Sequence, residues 1–354
     1  MAATKGLVVY SMDSEIAQFF EQTSVPRSVC DSYAKEELGG EVVPVAVQGV
    51  CSYTVYAGPK GEFVAQFRLK SLQLRMETAE LAQAIYGDFA PQVAFRGQIG
   101  DDGVKGKDPL YIYVMSRMQG ISYLTFLLAH STNIPENSCK FSFWRRNLIS
   151  DIARFFARSW NSPQTVSREY RDGLRRQYEK ELGLLLVSLP DRFHPLIQQS
   201  LDSLPAIFSL PMVLLHRDFG ICNIMVNEDS CHLVGVVDWA ESEITCFGLN
   251  LYSIQQLIST VHLRNGWTRF ADYGVLEDVF WSTLRAEAGG LSSEIVEIVK
   301  SARVMGLLLS RGFTSRLANM PEPVPVRDDE GGAYNIRDLD GLLINPATRF
   351  TELV

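Results

Sequence analysis

The chain has 354 residues but no cysteine framework. Its six cysteines (Cys30, Cys51, Cys139, Cys222, Cys231 and Cys246) are scattered, with no C-x-x-C pair and no metal-ligand spacing. They read as reduced, mostly buried residues of an intracellular protein. No apolar run approaches the length that spans a bilayer. The short one at residues 7–10 is followed by Asp13 and Glu15, which does not suit a signal peptide. The expectation is a cytoplasmic protein with no membrane partner. Excess positive charge is also missing: 33 Lys and Arg stand against 41 Asp and Glu, a net charge of −8. That argues against nucleic acid as a partner and mildly suits a cationic small substrate, although such a charge also serves solubility. Internal repeats and low-complexity tracts are absent.

What is present is ordinary globular material, 46% hydrophobic and 21% charged. The length exceeds one hydrophobic core, so two lobes are expected. The most informative stretch is 214–239, LLHRDFGICNIMVNEDSCHLVGVVDW. Ile224–Val226 and Leu233–Val237 are short apolar, β-branched runs, and Asn227, Glu228, Asp229 and Ser230 between them are turn residues. The segment reads as a hairpin. Its symmetry sets Asn223 opposite Asp238 at the open end, with Cα atoms roughly 4.5–5.5 Å apart. An amide oxygen and a carboxylate held so closely suit magnesium, a hard cation that completes its shell with phosphates and water. Asp218 adds a second carboxylate nearby.

His216-Arg217-Asp218 with Asn223 and then Asp238-Trp239 resembles the H-x-D-x-x-x-x-N and D-W motifs of the aminoglycoside phosphotransferase and choline kinase superfamily, whose architecture is that of protein kinases. The likeness is strongest in this stretch, extends more weakly over most of the chain, and looks most like the fungal branch. It implies an α+β, bilobal protein-kinase-like fold with a small antiparallel β-rich N-lobe and a larger, mainly helical C-lobe. It also implies ATP- and Mg2+-dependent phosphorylation of a hydroxyl, with Asp218 as base and Asn223 and Asp238 on the metals. His216 takes the position the family uses for packing. Asn250, in Phe247-Gly248-Leu249-Asn250-Leu251, stands where the family has an aspartate bracing the catalytic loop. Arg217 either approaches the γ-phosphate or pairs with a nearby acid. Glu241 and Glu243 either meet a cationic substrate group or are solvated.

Domain boundaries follow. Residues 1–40 read as a helical extension, 41–115 as the nucleotide-binding N-lobe, 116–120 as the hinge and 121–354 as the helical C-lobe. Val42–Val47, Tyr53–Ala57 and Glu62–Leu69 are three antiparallel strands separated by glycines and Pro59. In the resembling family the first turn covers the ATP phosphates, and here only Gly49 and Ser52 fit that role. No lysine stands at the family's place on the third strand. Gln66 and Arg68 share one face there, and Arg68 is the better phosphate ligand because it is always charged and bidentate. Helix 76–87 carries Glu77, with Glu80 as competitor, where the family places the acid that pairs with the strand cation. Leu110–Met115 is a further strand leading into the hinge, from Met115 to Arg117 and beyond, whose backbone the family uses for adenine.

Helices are expected at Arg145–Trp160, 172–189 and 294–311, the first with an aromatic core stripe. The tail from 319 onward, with PEPVPV and DDEGG, wraps the surface or forms a substrate-side loop. The leading reading is a small-molecule O-phosphotransferase acting on a metabolite, amino alcohol or antibiotic. The competing readings are a catalytically silent kinase fold used for binding or scaffolding, supported by the departures at the strand cation, glycine turn and Asn250, and a kinase fold adapted to other small-molecule chemistry.

Overall fold

The computed structural model describes residues 10–262, 265–314 and 323–353. Residues 319–322 of the tail lie outside them. The chain divides into two compact units: residues up to Glu80 with Pro91–Met118, and Leu81–Ala90 with Gln119 onward.

In the first unit, α1 (Met12–Phe20) starts at Ser11, whose hydroxyl accepts from the Ser14 amide, and α2 (Arg27–Leu38) follows Pro26 and stops at Gly39, φ 75°. Residues 12–38, read from sequence as a helical extension, bury Ile16, Phe19, Cys30 and Ala34 in the same core as the sheet's Tyr53, Val55, Ala65 and Phe67. The sheet consists of β1 (Val43–Pro44), β2 (Ser52–Ala57), β3 (Phe63–Leu69), β4 (Val93–Ile99) and β5 (Leu110–Ser116), antiparallel in the order β1-β2-β3-β5-β4. Helix α3 (Met76–Tyr86) lies between β3 and β4 in the chain.

Two strand expectations need correction. The first strand stops at Pro44 rather than Val47, because the Gln48 side chain takes over its pairing. Its Nε2 donates to the Val45 and Thr54 carbonyls at 3.0 and 2.8 Å, and its Oε1 accepts from the Thr54 amide at 2.9 Å. Strand β4 is an addition that the sequence hid. None of its residues is buried, so it shows no clean alternation, and its register breaks between Phe95 and Gly97.

The second unit holds β6 (Ile121–Ser122), α4 (Tyr123–Ser131), α5 (Cys139–Trp160), α6 (Arg168–Ser188) and α7 (His194–Ile207). These are followed by β7 (Met212–Leu215), β8 (Ile224–Val226), β9 (Leu233–Val236), β10 (Glu243–Cys246), α8 (Gln255–Ile258), β11 (Ser259–His262) and β12 (Gly266–Arg269). The long α9 (Tyr273–Glu287) and α10 (Ser293–Arg311) and the short α11 (Ala333–Leu339) complete it. The aromatic stripe of α5 is core: Phe141, Trp144, Phe155 and Phe156 are all at most 3% exposed. Helix α5 begins at Cys139, six residues before Arg145, after the N-cap Ser138, whose hydroxyl accepts from the Phe141 amide. Helix α6 begins after the N-cap Ser167.

Helix α10 packs tightly on the chain beside Asn250. A β-carbon at Gly306 would run into the Leu249 carbonyl, so only glycine admits this approach. Arg303, 1% exposed in α10, is neutralised by Glu277 of α9 and by Glu352, which fastens the end of the described chain to the helical core. Among the described residues no helix is long and apolar enough to cross a membrane.

Candidate active site

The site grows from the end of β7, whose four residues are all buried and which pairs antiparallel with β10. The chain leaves the sheet at His216, 1% exposed, with its ring edge-to-face against Trp239 at 5.0 Å. Burial pushes the His216 pKa below the ordinary imidazole value, so the ring is neutral at neutral pH. Its Nε2 lies 2.9 Å from the Val237 carbonyl and must therefore carry the proton, which leaves Nδ1 buried without a partner. From the other side the Asn250 amide donates to the His216 carbonyl at 3.1 Å. The two residues together fix the backbone from which Asp218 projects.

A tight turn over 220–224 folds Asn223 back onto Asp218. The Asn223 and Ile224 amides both donate to the Gly220 carbonyl, at 2.9 and 3.1 Å. The Asn223 side-chain amide then donates twice, to the Asp218 carbonyl at 2.8 Å and to its Oδ2 at 2.9 Å. The Asp218 side chain is accessible, yet protein surrounds it closely enough that loss of hydration raises its pKa, and repulsion from Asp238 raises it further. The hydrogen bond from Asn223 and the charge of Arg311 act against this rise.

The hairpin register differs from the symmetry expected. Ile224 faces Val236 and Met225 faces Gly235, which puts Asn223 opposite Val237, not Asp238. The Val237 amide donates to the Asn223 carbonyl at 2.9 Å. An irregularity after Met225, where Val226 faces Leu233, makes pairing across the turn non-constant, so extrapolation from the turn misses by one residue. Since one residue of slip reverses the face, something must re-aim Asp238. Its backbone does so: φ 62° and ψ 65° are left-handed, a conformation that aspartate tolerates better than most residues. Trp239 anchors the bend, donating to the Val236 carbonyl at 2.8 Å and packing on Tyr86 at 4.8 Å.

Arg217 pairs with Glu243 at 3.2 Å, which engages Glu243. Glu241 is half-buried in the short turn after Asp238. Neither glutamate lines the cavity that opens beside Asp218. That cavity, about 650 Å³, is built wholly from the second unit, with Arg217, Asp218 and Asn223 on its wall together with Arg145, Arg311 and Glu136. Sequence reasoning missed Arg145 and Arg311. Arg145 falls on the buried face of α5 and Arg311 closes α10 after a buried apolar run, and a charge at such a position was the available signal.

In the first unit Ser52 is buried on β2, opposite Arg68, with its hydroxyl 3.4 Å from that of Thr54. Gly49 has open space around it and an ordinary φ. Gln66 and Arg68 do share the face of β3 opposite the buried Ala65, Phe67 and Leu69. The Gln66 Oε1 is buried without a partner, whereas the Arg68 Nε donates to the Leu72 carbonyl. Glu77 is exposed in the first turn of α3, and among the described residues no ion pair joins it to Arg68. Met115 is on β5, opposite Val64. Arg117 stacks on Tyr56 at 3.9 Å and donates to the Gly61 carbonyl, while its backbone amide donates to Glu62 at 2.9 Å.

A family model described as the phosphotransferase enzyme family (APH) matches residues 52–254. No curated protein matches the sequence. Among solved structures, a candidate aminoglycoside phosphotransferase of Ralstonia eutropha is 12% identical, with 80% of this chain and 97% of that one covered at a TM-score of 0.50. A macrolide phosphotransferase of Brachybacterium faecium is 15% identical, with 80% and 90% covered at 0.49. An aminoglycoside phosphotransferase of Streptomyces rimosus is 13% identical, with 80% and 99% covered at 0.44. At these identities the likeness speaks to fold. It is the α+β, kinase-like fold, with a five-stranded antiparallel sheet in the first unit and a mainly helical second unit.

Proposed function

Because the chain belongs to the phosphotransferase enzyme family, we propose that it transfers the γ-phosphate of ATP to a hydroxyl of a small molecule seated in the cavity beside Asp218. The observation that carries this reading is Asp218 itself, a carboxylate on the wall of a drug-sized cavity, oriented by Asn223 and made more basic by its surroundings. The acceptor hydroxyl donates to an Asp218 carboxylate oxygen. As its oxygen bonds to the γ-phosphorus, the proton passes to Asp218 and the bond from phosphorus to the β,γ-bridging oxygen breaks, releasing ADP. A raised pKa brings the base closer to working pH, where proton acceptance is typically worth about 10²–10⁴ in rate.

The residues present fit magnesium. The nitrogen of the Asn223 amide is engaged by Asp218, which leaves its Oδ1 as the atom for a cation. Asp238 is turned out of the strand by its left-handed backbone. Among the described residues no group of three or more His, Cys, Asp or Glu forms a metal site. A cation here takes few protein ligands and completes its shell with phosphate oxygens and water. Magnesium, when bound, offsets charge on the phosphates. For the nucleotide we assign the first unit's Ser52, Gln66 and Arg68. The terminal guanidinium nitrogens of Arg68 are the phosphate donors, since its Nε serves Leu72. Gly49, Glu77 and the Met115–Arg117 segment are secondary candidates, and the engaged amide of Arg117 makes it the weakest of them.

The catalytically silent reading has one observation in its favour, the tie of Arg68 to its own chain at the place of the family's lysine. Calorimetry with Mg-ATP separates the two. The phosphotransferase reading expects magnesium-dependent binding below about 1 mM that Arg68→Ala weakens at least tenfold. Absence of nucleotide binding at millimolar concentration gives the silent reading the field.

A further inference from the structure

The cavity beside Asp218 carries a chemical signature that composition misrepresents. A net charge of −8 mildly suits a cationic substrate, but among the described residues the acids on the cavity wall are Asp218 and Glu136, and three arginines share that wall. Each arginine already has a carboxylate behind it. Arg145 meets Asp272 at 3.1 Å, Arg217 meets Glu243 at 3.2 Å and Arg311 meets Asp338 at 2.8 Å. The wall therefore presents guanidinium donors whose charge is largely balanced. Such a wall attracts an anion only weakly and offers hydrogen-bond donors to neutral oxygens.

Rings are the other feature of the wall: Tyr123, Tyr252, Trp267, Phe270 and Tyr334 line the cavity, among small polar residues such as Ser259 and Thr260. An aromatic wall of this kind can hold an ammonium group by its π faces, but at two of these rings the chain's own cations are already in place. The Arg145 guanidinium lies 4.2 Å from the Phe270 centroid, and Arg311 and Arg337 lie 5.8 and 6.0 Å from that of Tyr334. A ligand ammonium at either ring would compete with an ion-paired arginine. A ring with no charge has only to stack.

Resting on the phosphotransferase reading of the same site, we propose that the acceptor is an uncharged, ring-bearing alcohol. Its rings pack against Tyr252, Trp267 and Tyr334, its ether or carbonyl oxygens accept from Arg145 and Arg311, and one hydroxyl reaches Asp218. The cavity, about 650 Å³, takes a molecule of several rings.

The test is calorimetric titration of the full chain with uncharged probes (salicin, phlorizin and podophyllotoxin) and with cationic ones (kanamycin, neomycin and choline), each in the presence of Mg-ADP. Phosphate transfer from Mg-ATP to each probe is then read by mass spectrometry. At least one uncharged probe should bind below millimolar, at least tenfold tighter than every cationic one. Tyr334→Ala, at a half-exposed position that tolerates truncation, should weaken that binding about two- to tenfold, the worth of one aromatic stacking pair. Tighter binding of a cationic probe, or no binding by any uncharged one, overturns the proposal. If a cationic probe is the one phosphorylated, the acceptor class is wrong and the phosphotransferase reading stands. If an uncharged probe binds as described and receives no phosphate, the acceptor class stands and the phosphotransferase reading falls.

Discussion

Asp218 is held at odds with its own hydration. Burial and the neighbouring Asp238 raise its pKa, so the ionised form that catalysis needs is the form the fold disfavours. A group whose folded pKa is raised contributes stability below its ordinary pKa and loses it as pH rises through the raised value. Asp218→Asn, which keeps an oxygen for the Asn223 amide, should therefore raise the melting temperature at neutral pH while lowering kcat by about 10²–10⁴. Differential scanning fluorimetry and a steady-state assay on one preparation check both halves, and a lower melting temperature would contradict the electrostatic account. His216 has the opposite sign. Its folded pKa is depressed by burial, so its contribution is complete above about 6.5, the ordinary imidazole value, and is lost as pH falls below it. In the Asp218→Asn background, where the opposing titration is gone, chemical-denaturation stability should decline from pH 7 towards pH 5. A flat profile would mean that burial does not depress the His216 pKa, and a rise in stability towards pH 5 would mean that the fold favours its protonated form. Asn250→Ala strips the donor from the buried His216 carbonyl and should cost about 1–3 kcal/mol in the same measurement.

Two elements hold the chemistry in place, and they differ in how far sequence reveals them. The hairpin β8–β9 was legible as an element, because its β-branched runs flank a turn cluster, and Asn223 and Asp238 were legible as its chemistry. Its register was not. The irregularity after Met225 and the left-handed Asp238 are backbone events that no side-chain pattern announces, and they decide that Val237 takes the place opposite Asn223. Similarly, Gln48 reads as an ordinary polar residue in a turn, yet its amide closes the β1–β2 connection with three hydrogen bonds at 2.8–3.0 Å. Gln48→Ala should loosen the turn that carries Gly49 and Ser52, weakening Mg-ATP binding at least threefold with little change in turnover at saturation. An equal loss in turnover would show that the turn serves more than the nucleotide. Gly306 acts at a distance of sequence that pattern reading cannot span. Gly306→Ala forces α10 away from Leu249–Asn250 and should cost about 1–3 kcal/mol, seen as a lower urea midpoint.

For the molecule as a whole, the two-core division was written in its length, and the kinase-like order of a β-rich unit before a helical one was written in its strand and helix patterns. The motif around Asp218 was legible because aspartate and asparagine at that spacing are brought together by one tight turn. The acceptor cavity was not legible. Arg145, Trp267, Arg311 and Tyr334 lie far apart in the chain, and only tertiary packing gathers them on one wall. Net charge, being a sum over the whole surface, carries no information about the residues gathered on that wall. The central claim, that this chain moves phosphate with Asp218 as base, is tested most directly by following ADP release and phosphorylated product together. The wild type and Asp218→Asn are compared with Mg-ATP and the tightest-binding uncharged probe. The account predicts equal ADP and phosphorylated probe from the wild type and a rate lower by about 10²–10⁴ in Asp218→Asn, a variant that still binds the probe. Product formation that is undiminished in Asp218→Asn would contradict it.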